Sequence, residues 1–228
     1  MRTYPFPLDL VRERSPERPV ALVRPRSVSV AARWFQDNLN ADVFYAVKAN
    51  PSRWVIETLV ESGVNAFDVA SVAEIELVRS VSADARLAFM HPVKSRGAIT
   101  KAYFDYGVRT FSLDSHDELT KIIESTGGAS DLNLLVRMAV SADGAAYSLS
   151  GKFGVSPDVA PSLLLATRQA VKDGLMGVCF HVGSQCMRPS AFEAAMAQIG
   201  RAISRAGVFV DIVDVGGGFP SVYPGMVP

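Results

Sequence analysis

Lys48 stands directly after an apolar, β-rich run, Phe44 to Val47, and directly before Ala49-Asn50-Pro51, which turns the chain. A lysine anchored at a strand end among apolar and cationic neighbours is the kind that forms a Schiff base with an aldehyde. The competing reading is a surface lysine whose stem lies along apolar neighbours. Gly216, Gly217 and Gly218 follow a second such run, Asp211 to Val215. Consecutive amides with no side chains in the way can cradle a phosphate, and three glycines can equally make a tight strand-to-helix turn. His181 ends a third run, with Gly183 and Ser184 close behind. An imidazole there can stack on a planar cofactor or exchange a proton, and the Ser184 hydroxyl can donate to a phosphate; a structurally satisfied histidine is the alternative.

These residues need elements to hold them. Seven short runs rich in β-formers recur along the chain, at 44–47, 66–69, 87–90, 108–112, 132–137, 177–182 and 211–215. Segments such as WVIETLVESG, VAEIELVRSV and HDELTKIIEST lie between them, with apolar residues recurring at three and four positions, and VSVAARWFQDNL precedes the first run. Strict β/α alternation predicts an α/β fold with a parallel sheet covered by helices. Doubly wound sheets and (β/α)8 TIM-type barrels both satisfy it. Lys48, Asp68, His91, Ser112, Arg137, His181 and the glycine run all fall at or just after the C-terminal ends of the runs, where barrel enzymes keep their sites, and this favours the barrel. Residues 1–26 read as an irregular, proline- and arginine-bearing lead-in, and 27–228 as the barrel domain. The chain stops at Pro228 before an eighth strand, so the expectation is an incomplete barrel, truncated after its seventh strand.

YAVKAN at 45–50, FDVAS at 67–71 with Glu74, HVGS at 181–184 and GGGFP at 216–220 resemble, in order and spacing, the barrel of ornithine decarboxylase and its relatives, the fold-type III decarboxylases that use pyridoxal 5'-phosphate (PLP). The resemblance runs from about Val28 to Pro220 and implies the alanine racemase/ornithine decarboxylase type of barrel. It implies that Lys48 binds the cofactor covalently, that His181 stacks on its ring, and that Ser184 with Gly216, Gly217 and Gly218 binds its phosphate. Asp68, Glu74 and Arg137 match an inner polar network; Asp68 and Arg137 can also be read as structural ion-pair members, and Glu74 as a first-turn acid favoured by the helix dipole. Leu149 to Gly154 resembles a segment that is mobile in the family and lies near the active site and dimer interface. It places Lys152 there, and the small residues Asp143 to Ala146 are turn-prone.

What the resemblance implies for activity is decarboxylation of a basic amino acid, with L-ornithine the lead, putrescine the product and polyamine biosynthesis the setting. FDVAS and GGGFP look more like ornithine than diaminopimelate decarboxylases, with lysine, diaminopimelate and arginine as other substrates. The family's eighth strand, with the acid that pairs with the ring nitrogen, and its C-terminal β-domain are not in these residues. The chain alone is therefore expected to be inactive, and a homodimer is expected of the full-length form. Two other readings are an amino-acid racemase of the alanine racemase type and a non-catalytic homologue that binds partners, as antizyme inhibitors do.

Bulk properties agree with a small-molecule enzyme. The 228 residues are 49% hydrophobic and 20% charged with zero formal net charge, which leaves no basic footprint for nucleic acid or an anionic membrane surface. Two cysteines, Cys179 and Cys186, are too few for a disulfide framework and have no cluster of metal-ligand spacing, which fits a reducing cytoplasm. No apolar run approaches the roughly 18 residues of a membrane helix.

Overall fold

The computed structural model describes residues 3–141, 145–147 (backbone only) and 151–222. Its strands are β1 (Tyr45–Ala46), β2 (Ala66–Val69), β3 (Arg86–Phe89), β4 (Thr110–Leu113), β5 (Asn133–Arg137), β6 (Ala145–Tyr147), β7 (Met176–Cys179), β8 (Ser184–Cys186) and β9 (Ile212–Asp214). The helices are α1 (Pro7–Arg14), α2 (Pro25–Asn38), α3 (Arg53–Glu61), α4 (Val72–Arg79), α5 (Arg96–Phe104), α6 (His116–Ser125), α7 (Ala160–Ala170) and α8 (Pro189–Ala206).

Seven strands form one parallel sheet in the order β1-β2-β3-β4-β5-β7-β9. A doubly wound sheet reverses its order at a switch point, whereas barrel strands follow the chain in sequence. The unbroken sequential order is therefore that of the barrel, seven strands of it, with β1 and β9 at the two edges.

Side chains alternate across a strand, so parallel register assigns the two faces. Asp68 is level with Ala46 and Ala88, and Arg137, Cys179 and Asp214 share one level across β5, β7 and β9. Phe67, Phe89, Phe111, Leu134 and Val178, at the alternate register positions, point the other way and are fully or almost fully buried, forming the core with the helices. Burying each such side chain contributes about 1.5–3 kcal/mol. One face is thus greasy and packed, and the other carries the chemistry.

Local signals start the helices that follow β2, β3 and β4. Ser71, Ser95 and Ser115 each sit in extended backbone, and their hydroxyls accept the amides of Glu74, Ala98 and Glu118, satisfying orphan donors of the first turn. Each serine follows its strand within a few residues, which fixes where the chain leaves the mouth of the sheet.

The structure corrects several expected boundaries. The first strand is only Tyr45–Ala46, and Val47–Ala49 form a turn of 3-10 helix, so Lys48 is carried on a helical turn. The lead-in is not wholly irregular, since Pro7 at the first helical turn and the Phe6 amide bonded to Asp9 start α1, none of whose residues is buried. A second, two-stranded antiparallel sheet pairs β6 with β8. Ala145 and Ala146, expected in a mobile turn, therefore lie in a strand; Asp143, Gly144, Leu149 and Ser150 are outside the described residues.

Candidate active site

Asp68 is the centre of a charge cluster at the C-terminal ends of the strands. Its carboxylate is 3.8 Å from the Lys48 ammonium, with side-chain exposures of 22% and 57%. Asp214, Glu74 and Arg137 also act on it electrostatically. Burial outweighs the Lys48 charge and pushes the Asp68 carboxyl up to about 6, helped by the like charges of Asp214 and Glu74. This is a lysine held in reach of bulk solvent against a carboxylate that is costly to ionise.

His181 faces the same cations. Burial, then Lys48 and Arg137, lower its pKa to about 4, so the ring is neutral near pH 7. Its Nδ1 accepts the Gly183 amide at 2.9 Å, which assigns the proton to Nε2.

The glycine run packs on this loop. Gly216 and Gly218 have φ of +69° and +95°, and a Cβ on them would stand 2.2 Å from the Phe180 carbonyl oxygen and 2.1 Å from that of Gly183. Only glycine fits both the backbone conformation and the approach. Gly217 is different, because a Cβ there would meet nothing nearer than the His181 Nε2 at 3.6 Å. Among the described residues, the Gly217 and Gly218 amides and the Ser184 hydroxyl have no protein partner. Free amide and hydroxyl donors of this kind can hold an anion such as a phosphate.

The remaining expected residues divide. Arg137 ends β5 inside the cluster. Glu74 adds its charge to the cluster, yet its Oε2 accepts the Ala70 amide at 2.8 Å and so has a helix-start role too. Ser184 opens β8, and the Cys186 amide donates to the Gly218 carbonyl at 2.8 Å, which ties the serine's strand to the glycine loop. Lys152 is exposed and stands over the Phe153 ring at 5.5 Å.

Sequence reasoning gave no role to Asp214, Phe153 or Lys94. Asp214 accepts the Gly216 amide at 2.7 Å, and burial raises its pKa. Its signal was present: it alternates with Ile212 on the face that register assigns to Arg137 and Cys179.

The family model described as pyridoxal-dependent decarboxylase, pyridoxal binding domain, matches residues 26–225. The chain belongs to this family. Within it, the chain is 39% identical over 186 residues to the lysine/ornithine decarboxylase of Selenomonas ruminantium, covering 79% of this chain and 45% of that protein. It is 35% identical over 181 residues to antizyme inhibitor 2 of Xenopus laevis, covering 78% and 38%. The crystal structure of an SrLDC mutant in complex with PLP superposes with a TM-score of 0.82 at 31% identity, covering 97% of this chain and 57% of that one. The chain thus spans about half the length of the pyridoxal-dependent decarboxylases it matches, and the half it spans is the cofactor-binding barrel portion.

Proposed function

We propose that this chain is the cofactor-holding part of a PLP-dependent decarboxylase of basic amino acids, with ornithine the first substrate to test and lysine the second. The observation that carries the reading is the placement of Lys48 against Asp68 at the strand ends that also bear His181 and the unpaired Gly217 and Gly218 amides. Similarity to a lysine/ornithine decarboxylase supports the substrate class.

In this reading Lys48 Nζ is the covalent anchor for the cofactor's aldehyde, and Ser184 Oγ with the Gly217 and Gly218 amides holds its phosphate. The neutral His181 ring would offer the pyridine a face to stack on, without the repulsion that an imidazolium would bring to a protonated ring. Bound PLP supplies an electron sink that lets the substrate α-carboxylate leave as CO₂. Asp68, whose carboxyl is pushed up to about 6 and lies 3.8 Å from Lys48 Nζ, would hold the proton that this amine gives up and return it when the amine needs one. Arg137 offsets the carboxylates so that the pocket stays receptive to an anion. Two buried free cysteines agree with a reducing, cytoplasmic setting, and among the described residues no helix is long and apolar enough to cross a membrane.

The first experiment adds PLP to the chain and looks for a borohydride-reducible chromophore, mapped by mass spectrometry to the Lys48 peptide and missing in Lys48→Ala. A folded protein that gives no adduct would overturn the reading. The second measures CO₂ release from ornithine and from lysine by the longer protein that contains these residues. Cofactor attachment with no turnover of any basic amino acid would favour a non-catalytic role instead, which the similarity to antizyme inhibitor 2 keeps in view. Loss of optical activity without CO₂ would mark a racemase.

A further inference from the structure

Arg137 is half-buried among carboxylates, yet its guanidinium has no hydrogen bond or ion pair within bonding distance among the described residues. A planar cation with five donors does not hold one orientation there without a support. That support is the Phe153 ring, whose centroid is 5.4 Å from the Arg137 Cζ. The edge-to-face contact of His91 with the same ring, at 5.1 Å between centroids, holds it from another side.

The ring is fixed as well as placed. The Gly154 amide donates to Asp114 Oδ2 at 3.0 Å, the Val155 amide to the Arg137 carbonyl at 2.9 Å, and the Ala139 amide to the Val155 carbonyl at 3.0 Å. Gly154 has φ of +108°, and a Cβ on it would stand 2.5 Å from the Ala139 nitrogen, so the chain can pass this close only as glycine. His91 is fixed in turn, because its carbonyl accepts the buried Lys94 ammonium at 2.9 Å and its Nδ1 accepts the Val93 amide at 3.1 Å. Residues following β3, β4 and β5 therefore converge on residues 153–155, which overlap the segment, Leu149 to Gly154, whose family resemblance implied mobility.

We propose that Phe153 is a positioning residue for Arg137: its ring, clamped by His91 and by the Gly154 and Val155 amides, holds the guanidinium at the mouth with its donors free for an anionic group of the bound ligand. The ligand's identity rests on the function proposed above; the Phe153–Arg137 relationship is independent of it. A leucine here would fill space without offering a π face, and a tyrosine would keep the face.

The test labels the cofactor-free protein with phenylglyoxal and follows modification of Arg137 by peptide mapping. Loss of the cation–π contact in Phe153→Leu is expected to speed labelling roughly two- to fivefold, while Phe153→Tyr labels as slowly as the natural protein. PLP affinity, read from the Lys48-linked absorbance, falls by a similar factor in the leucine variant and is restored in the tyrosine variant. Far-UV circular dichroism checks the fold, and Phe153→Met carries the comparison if leucine perturbs it. Equal labelling of the leucine, tyrosine and natural proteins would overturn the inference. Absence of any Lys48 adduct in the natural protein would instead sink the cofactor reading while leaving the labelling result to stand.

Discussion

The Asp214 carboxylate accepts the Gly216 amide at 2.7 Å, so the last residue of β9 holds the first glycine of the candidate phosphate loop. Gly216 packs against the Phe180 carbonyl, and among the described residues the next two amides are unpaired. Asp214→Ala removes this bond and is expected to weaken PLP binding by about 1.5–3 kcal/mol, the range for a hydrogen bond to a charged acceptor. Asp214→Asn keeps an acceptor at Oδ1 and should recover much of that loss. Spectrophotometric PLP titration checks both; equal affinities for alanine and asparagine would remove the positioning role.

Adjacent glycines should fail in different ways. Gly218→Ala forces a Cβ to within 2.1 Å of the Gly183 carbonyl at a φ of +95°, so its main effect is on folding, expected to exceed about 1 kcal/mol. Gly217→Ala finds space up to the His181 Nε2 at 3.6 Å and should fold normally. Its added methyl would crowd an anion held by the Gly217 and Gly218 amides, so PLP affinity is expected to drop instead. Urea unfolding and PLP titration of both variants separate the two effects; destabilisation of Gly217→Ala to the same degree as Gly218→Ala would refute the cradle geometry.

Asp68 makes a pH-dependent cost. Its carboxyl titrates near pH 6 in the folded chain against an ordinary value of 3.8, because burial disfavours the anion. The folded state then binds the extra proton between these values, so stability falls as pH rises through the window. The penalty is absent below about pH 4 and fully present above pH 6. Asp68→Asn should therefore stabilise the cofactor-free protein by about 1–3 kcal/mol at pH 7 and by little at pH 4. Urea denaturation at the two pH values checks the sign, and a benefit that does not shrink on acidification would count against it.

How much of this was legible in the chain depends on the range of the interaction. Seven strands and their helices were marked by local periodicity, and Lys48, Asp68, Arg137 and His181 by their places at strand ends, because both signals lie within a few residues. The β6–β8 sheet was not, since Ala-Ala-Tyr and Ser-Gln-Cys are too short and too poor in β-branched residues to announce a strand. Phe153 received no role because its partners, His91 and Arg137, come from other strand ends. Asp214 was hidden inside the apolar run DIVDV, although its two-residue alternation put it on the chemical face.

Lys94 and Glu118 are a case with no local signal, being 24 residues apart in the chain, and they bear a strong prediction. The Lys94 side chain is fully buried, with its ammonium 3.0 Å from Glu118 Oε1, 2.6 Å from the Ser112 carbonyl and 2.9 Å from that of His91. Glu118 also pairs with Lys121 and accepts the Lys94 amide. Lys94→Met strands the Glu118 carboxylate with one side-chain cation and is expected to cost about 3–5 kcal/mol at pH 7. Burial lowers the Lys94 pKa from 10.5 to about 8, so between those values the unfolded chain binds more protons and stability rises with pH. The advantage of the natural protein over Lys94→Met should accordingly widen between pH 8 and pH 10.5. Replacing both partners, Lys94→Met with Glu118→Leu, removes the stranded charge and should cost less than Lys94→Met alone. Urea unfolding of the three proteins across this pH range decides the matter: an advantage that stays flat with pH would mean that Lys94 keeps its proton without penalty, held by the three oxygens around it.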